Sequence, residues 1–140
     1  MKTFSLVAAA LSFSLTSFAA PVLICKTRDK VEGWTGSPTL DFVYFTAFVE
    51  SELQLSRAEI RGAYGSDIRN INIDPAYKPR SPFYREFYRF GALEDAWNWF
   101  YPLLPKDFSK QSGSFPAYIQ ILGEAGFKET LKLTCILNSN

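Results

Sequence analysis

The sequence predicts a mainly β fold: a single antiparallel sandwich or barrel of about seven strands, with one short helix allowed near residues 83–97. Three observations carry this. Runs of alternating apolar and polar residues recur along the chain, and glycines and prolines punctuate them at hairpin-like intervals. Two cysteines, Cys25 and Cys135, fall near the start of the first predicted strand and the end of the last.

The chain opens on Lys2, an apolar run from Phe4 to Leu15, and the small residues Ser17 and Ala19. That is the layout of a cleaved secretory signal peptide over residues 1–19. Ser5, Ser12 and Ser14 interrupt the run, and it falls short of the about 20 residues that a bilayer span requires. No later segment reads as a transmembrane segment. Cys25 follows Val22-Leu23-Ile24 rather than the small residues of a lipidation signal. The expectation is a periplasmic or secreted protein in which residues 20–140 form a single globular β-rich domain.

Without Lys2 the 15 basic residues become 14, matching the 14 acidic ones. A neutral balance supplies no long-range field to draw in nucleic acid, which is set aside as a partner. Two cysteines in an oxidising compartment predict one disulfide, Cys25–Cys135. No C-x-x-C is present to lower a thiol pKa, so a structural role is expected.

The elements follow in order. Val22 to Lys30 begins as a continuous apolar run, the pattern of a strand buried on both faces near its start. Gly33, Gly36 and Pro38 then make a loop carrying Trp34. Asp41 to Glu50 places β-branched and aromatic residues on both faces and predicts a central strand. Leu53 to Tyr64 reads as a strand with broken parity, because Leu55 and Ile60 fall on opposite faces. A bulge near Ser56-Arg57 would reconcile them, since one extra residue shifts the alternation. Gly62-Ala63-Tyr64-Gly65 is a turn signal.

Ile68 to Asp74 is a candidate edge strand, and the prolines from Pro75 to Pro82 mark a loop. Phe83 to Phe90 satisfies helical and strand spacing alike, and Leu93 to Ala96 has room for one helical turn. Trp97, Trp99, Tyr101 and Leu103 alternate as a strand, which Pro102 and Pro105 would confine to an edge or end early. Ala117 to Leu122 and Phe127 to Leu137 flank Gly123-Glu124-Ala125-Gly126, the clearest hairpin in the chain. On its second arm Phe127, Leu131, Leu133, Cys135 and Leu137 are expected on the core face.

The chemistry open to the chain is narrow. Histidine is absent, which removes Ser-His-Asp and Cys-His mechanisms and His-ligated zinc. No phosphate-binding glycine motif occurs. Asn70, Asn72 and Asp74 alternate like the first ligands of a calcium loop, but Pro75 and Ser81 stand where that loop needs glycine and glutamate. No metal site and no cofactor are expected. A hydrolase would need two or more of Glu50, Glu52, Asp74, Glu86, Glu94 and Asp95 held ~5–10 Å apart in one cleft.

The segment from Phe83 to Tyr101 concentrates Phe, Tyr and Trp, with Arg80, Arg85 and Arg89 in and beside it. Large rings build cores, and that accounts for most of the phenylalanines. Tyr and Trp carry polar tips that tolerate partial exposure, and with Arg they are enriched at binding hot spots. The candidate binding residues are therefore Arg80, Tyr84, Arg85, Tyr88, Arg89, Trp97, Trp99 and Tyr101. The reading that results is an exported non-catalytic binding domain whose partner is a protein, an envelope glycan or a small apolar ligand. A carrier enclosing an apolar ligand in a closed aromatic pocket is the second reading, and a carboxylate-based hydrolase the third. Fold class alone does not choose among them.

Overall fold

A computed structural model describes residues 20–32, 40–63, 66–95 and 97–139. The predicted signal peptide, the Trp34 loop, and Tyr64 and Gly65 of the predicted turn lie outside the described residues. The strands are β1 (Val22–Thr27), β2 (Val31–Glu32), β3 (Leu40–Asp41), β4 (Val43–Ser51), β5 (Gln54–Gly62), β6 (Asp67–Asn72), β7 (Phe87–Arg89), β8 (Leu93–Glu94), β9 (Asn98–Pro105), β10 (Ser114–Gly123) and β11 (Gly126–Asn138). Among the described residues there is no α-helix. The helix allowed near 83–97 is one 3-10 turn, Pro82–Glu86, capped by the Ser81 hydroxyl. Of the helical turn expected at 93–96, Leu93 and Glu94 instead form β8, which pairs Leu93 with Phe100 and Glu94 with Trp99, and Ala96 lies outside the described residues.

The main sheet runs β6-β5-β4-β1-β11-β10-β9-β7, with β8 also on β9, while β2 and β3 form a separate ribbon. Leaving out the two-residue strands, each strand but β6 pairs antiparallel with the next in the chain, and the first pairs with the last. This is an up-and-down meander, the arrangement that closes into a barrel. The outer edges meet where Ile73 bridges Phe90. On either side the Asp74 N–H donates to the Arg89 carbonyl and the Gly91 N–H to the Asn72 carbonyl, both at 2.8 Å. The result is a nearly closed eight-stranded antiparallel barrel.

Alternation fills the interior. Leu23 and Cys25 of β1, Val43, Phe45 and Ala47 of β4, Leu55, Ala58 and Ile60 of β5, Phe115 to Ile121 at odd positions of β10, and Leu131, Leu133 and Cys135 of β11 form one buried cluster with Phe90, Leu93, Phe100, Leu104 and Phe108. Cys25 and Cys135 are direct partners across the β1–β11 ladder and form the predicted disulfide.

The broken parity of β5 is a bulge, as expected. Phe48 pairs with Ser56 but Thr46 with Glu59, so β5 carries one residue more than β4. Arg57 takes φ +48° there, and its N–H is held by the Asn70 side-chain oxygen at 3.0 Å.

Three expectations are corrected. β1 is buried on one face only, since Leu23 and Cys25 are enclosed while Ile24 is 38% exposed. The strand carrying Pro102 is not at an edge, because β9 pairs with β10 on one side and with β7 and β8 on the other. A residue's N–H and C=O point the same way across a ladder. Pro102 accepts from the Phe90 N–H, so its proton-less nitrogen faces the gap between β7 and β8, where no ladder bond is lost. Phe127 is 65% exposed rather than core. Ile121 pairs with Glu129 but Leu122 with Phe127, and the extra residue between them turns Phe127 outward beside Leu122.

Candidate functional site

The predicted site residues sort along the outside of one wall, built by β7, β9 and β10. On β9 the outward positions are Trp99, Tyr101, Leu103 and Pro105. Facing them on β10 are Leu122, Gln120 and Tyr118, paired with Trp99, Tyr101 and Leu103 in turn. On the other side Arg89 pairs with Leu103 and Phe87 with Pro105.

At the β7 end four rings meet. Phe83, Tyr84, Phe87 and Tyr118 lie within 5.0–5.9 Å of one another, centroid to centroid, with Tyr118 edge-on to the other three. These are favourable aromatic geometries, worth about 0.5–1.5 kcal/mol a pair beyond burial. Pro82 opens the 3-10 turn and fixes its first φ, and the turn lays Phe83 and Tyr84 against the wall. Leu103 explains the arrangement. It faces outward, is fully buried, and is not part of the interior cluster. The rings form a second, external core over it. Phe83 crowns that core at 52% exposed. Burial, with Tyr84 nearby, raises the pKa of the Tyr118 hydroxyl above 10.0.

Beside the rings Arg89 is held from three directions. Its guanidinium lies 4.5 Å from the Tyr77 ring centroid and 4.4 Å from that of Tyr101, and donates to Asp74 Oδ2 at 2.7 Å. That hydrogen bond holds the Asp74 carboxyl below its ordinary 3.8, against the opposing effect of burial. Burial raises the Tyr77 hydroxyl, which also bonds to Gln120. Asp74 follows β6 and Arg89 ends β7, so the pair spans the closing seam.

Farther along the same seam, Glu94 accepts the Trp99 indole N–H at 3.1 Å. Its backbone N–H donates to Asp67 Oδ2 at 2.7 Å, and Arg69 pairs with that Asp67 oxygen at 2.8 Å. Burial raises the Asp67 pKa, but the Glu94 N–H and Arg69 outweigh it and leave the carboxyl below 3.8. Asp95 caps the turn into β9, accepting from the backbone N–H of Trp97 and of Asn98.

The predicted residues therefore separate. Tyr84, Arg89 and Tyr101 belong to the ring cluster and its Arg89 sandwich, with Arg85 exposed on the 3-10 turn and Arg80 exposed in the preceding loop. Tyr88 points the other way, packed against the interior with Lys106 Nζ 5.7 Å from its ring centroid. Trp97 and Trp99 lie at the far end of β9. Sequence reasoning missed Phe83, Phe87, Tyr118 and Tyr77 as members, having assigned most of the phenylalanines to the core. Tyr118 has a readable signal in the alternation of Ala117, Ile119 and Ile121, which turns it outward. Tyr77 has none, because it sits among prolines.

An open groove of about 600 Å³ borders the rings, lined by Glu86, Phe87, Pro105, Lys106, Gln111 and Pro116. Among the carboxylates considered for hydrolysis, Asp74, Glu94 and Asp95 are each tied into the bonds above, while Glu50 and Glu52 are exposed around the β4–β5 turn and Glu86 on the 3-10 turn. Among the described residues no group of three or more His, Cys, Asp or Glu is placed to hold a metal ion, and no helix is long and apolar enough to cross a membrane. No protein-family model matches the chain, and no curated protein or solved structure matches it either.

Proposed function

We propose that this protein is an exported, non-catalytic binding domain that meets its partner on the outer aromatic wall of β7, β9 and β10. One observation carries the reading: four rings gather on the outside of the barrel, and their outermost member, Phe83, is 52% exposed. Exposed aromatic rings beside arginine are the composition of binding hot spots. Arg80, Arg85 and Lys132 supply the charge, all exposed, with Lys132 directly across the ladder from Tyr118.

The filled interior favours this wall over the carrier reading. Phe45, Phe90, Phe100 and Phe108 are fully buried and occupy the space an enclosed ligand would need. The bonding of Asp74, Glu94 and Asp95 favours binding over hydrolysis, since catalytic carboxylates must be free to exchange protons. The disulfide supports export, because such bonds persist in oxidising compartments.

Two measurements test this. Protein recovered from expressing bacteria should begin at Ala20 by mass spectrometry, and a retained Met1 would end the export claim. Binding should be screened against secreted proteins and envelope glycans with Phe83→Ala and Tyr84→Ala variants alongside. The partner should be lost from both variants while their melting curves stay cooperative. A partner held equally by both variants, or an apolar small molecule co-purifying in native mass spectrometry, would reject the wall as the site.

A further inference from the structure

At the other end of the same wall lies a second exposed apolar strip, separate from the four-ring cluster. The ladder places Trp99, Leu122 and Phe127 side by side on β9, β10 and β11. Trp99 is 37% exposed and Phe127 65%, and Trp97 just before β9 is 53% exposed. Large rings left this open in one row are unusual on a folded domain and mark interaction surfaces. Two local devices build the row. The bulge in β11 turns Phe127 outward next to Leu122, and Glu94 fixes the Trp99 indole through its N–H.

The charge around the strip is lopsided. Asp67, Glu94, Asp95 and Glu124 flank it through β6, β8, the turn into β9 and the β10–β11 hairpin, against Arg69. Arg69 is already committed to Asp67 and Glu94. This is the reverse of the basic rim around the four rings. Indole is the strongest partner for a cation over its face, and surplus carboxylates steer cations toward it.

We propose that the Trp97, Trp99, Leu122 and Phe127 strip docks a lysine- and arginine-bearing segment of a basic protein. Rings receive the cationic heads and aliphatic stems, and the carboxylates at the margin select positive charge. This site is independent of the four-ring wall and stands or falls apart from it.

The test titrates hexa-arginine, hexa-glutamate and a neutral oligosaccharide into the full protein. Calorimetry reads affinity, and NMR reads the indole N–H signals of Trp97 and Trp99, assigned by substitution. Hexa-arginine should bind, weaken with added salt, and shift both indole signals. Phe127→Ala, an exposed position whose loss leaves the core intact, should weaken hexa-arginine about tenfold, and Glu124→Lys should weaken it further as salt falls. Tyr118→Ala should leave it unchanged. The proposal is overturned if hexa-glutamate or the oligosaccharide binds as well, if the indole signals do not move, or if Phe127→Ala has no effect.

Discussion

Arg89 shows how one side chain does several jobs in this molecule. It stacks between Tyr77 and Tyr101, pairs with Asp74, and is one reason the external rings have a firm neighbour. Its Nε is buried without an acceptor, so what holds it is the ring faces and the Asp74 carboxylate rather than a full set of hydrogen bonds. The pair is largely shielded, with side chains 21% and 27% exposed, so it should count for more than a surface ion pair. We expect Asp74→Asn to lower stability at pH 7 by about 1–2 kcal/mol. The pH dependence has a definite sign. The folded Asp74 pKa lies below its ordinary 3.8, so its stabilisation is fully present above that value and is lost as pH falls through the folded pKa. Urea melts of wild type and Asp74→Asn should therefore differ at pH 7 and converge as the pH falls below 3.8 and through the folded pKa. A gap that stays constant on acidification would show that the carboxylate charge is not what Asp74 contributes. In the sequence Arg89 stood out for its aromatic neighbours, but the residues that hold it come from a proline-rich loop and from other strands. Such pairings are set by sheet register, which one sequence does not spell out.

At the scale of elements, two bulges place the residues that matter, and only one left a mark in the sequence. In β5 the inward residues Leu55, Ala58 and Ile60 break the two-residue period, and the bulge at Arg57 is the physical means of keeping all three inside. In β11 the run Phe127, Leu131, Leu133 keeps an unbroken parity, so nothing announces that an extra residue rotates Phe127 to the surface. β9 was legible as a strand, but its place in the barrel was not. A proline there suggests an edge until β7 and β8 are seen to leave a gap opposite it. The β5 bulge yields a direct test. Arg57 holds φ +48°, a left-handed conformation that costs a non-glycine residue about 1–2 kcal/mol. Arg57→Gly should be neutral or stabilise by up to about 1 kcal/mol, and Arg57→Val should destabilise by about 1–2 kcal/mol, because a β-branched side chain resists that region. Chemical denaturation of the two variants checks it. Equal stability of Gly and Val at this position would mean that the bulge is not maintained.

For the whole molecule, alternation and hairpin signals leave sandwich and barrel equally open, since both are antiparallel sheets with one buried face. What decides is whether the edge strands meet, and that rests on a few contacts: the Ile73–Phe90 bridge, its two flanking backbone bonds, and the Asp74–Arg89 and Asp67–Glu94 links. The opposite seam is far stronger. β1 and β11 share six paired positions and the Cys25–Cys135 disulfide, which spans 110 residues of sequence. In the chain-entropy view a crosslink of that length stabilises by about 4–5 kcal/mol. Cys25→Ala with Cys135→Ala should lower stability by about 2–5 kcal/mol in urea melts, and a loss under about 1 kcal/mol would show that the ladder alone secures this seam. The inequality of the two seams also fixes where the barrel first opens. Native-state hydrogen exchange should release the amides of Asp74 and Gly91 well before those of β1 and β11, because sub-global opening follows the fewest contacts. Lowering the pH should widen that difference, since Asp67 and Asp74 both have depressed pKa values and both sit on the weaker seam. Removing the disulfide should narrow it, by loosening the stronger seam alone. Exchange that begins at β1 and β11 in the disulfide-bonded protein would place the weak point on the wrong side of the barrel and sink this account of its closure.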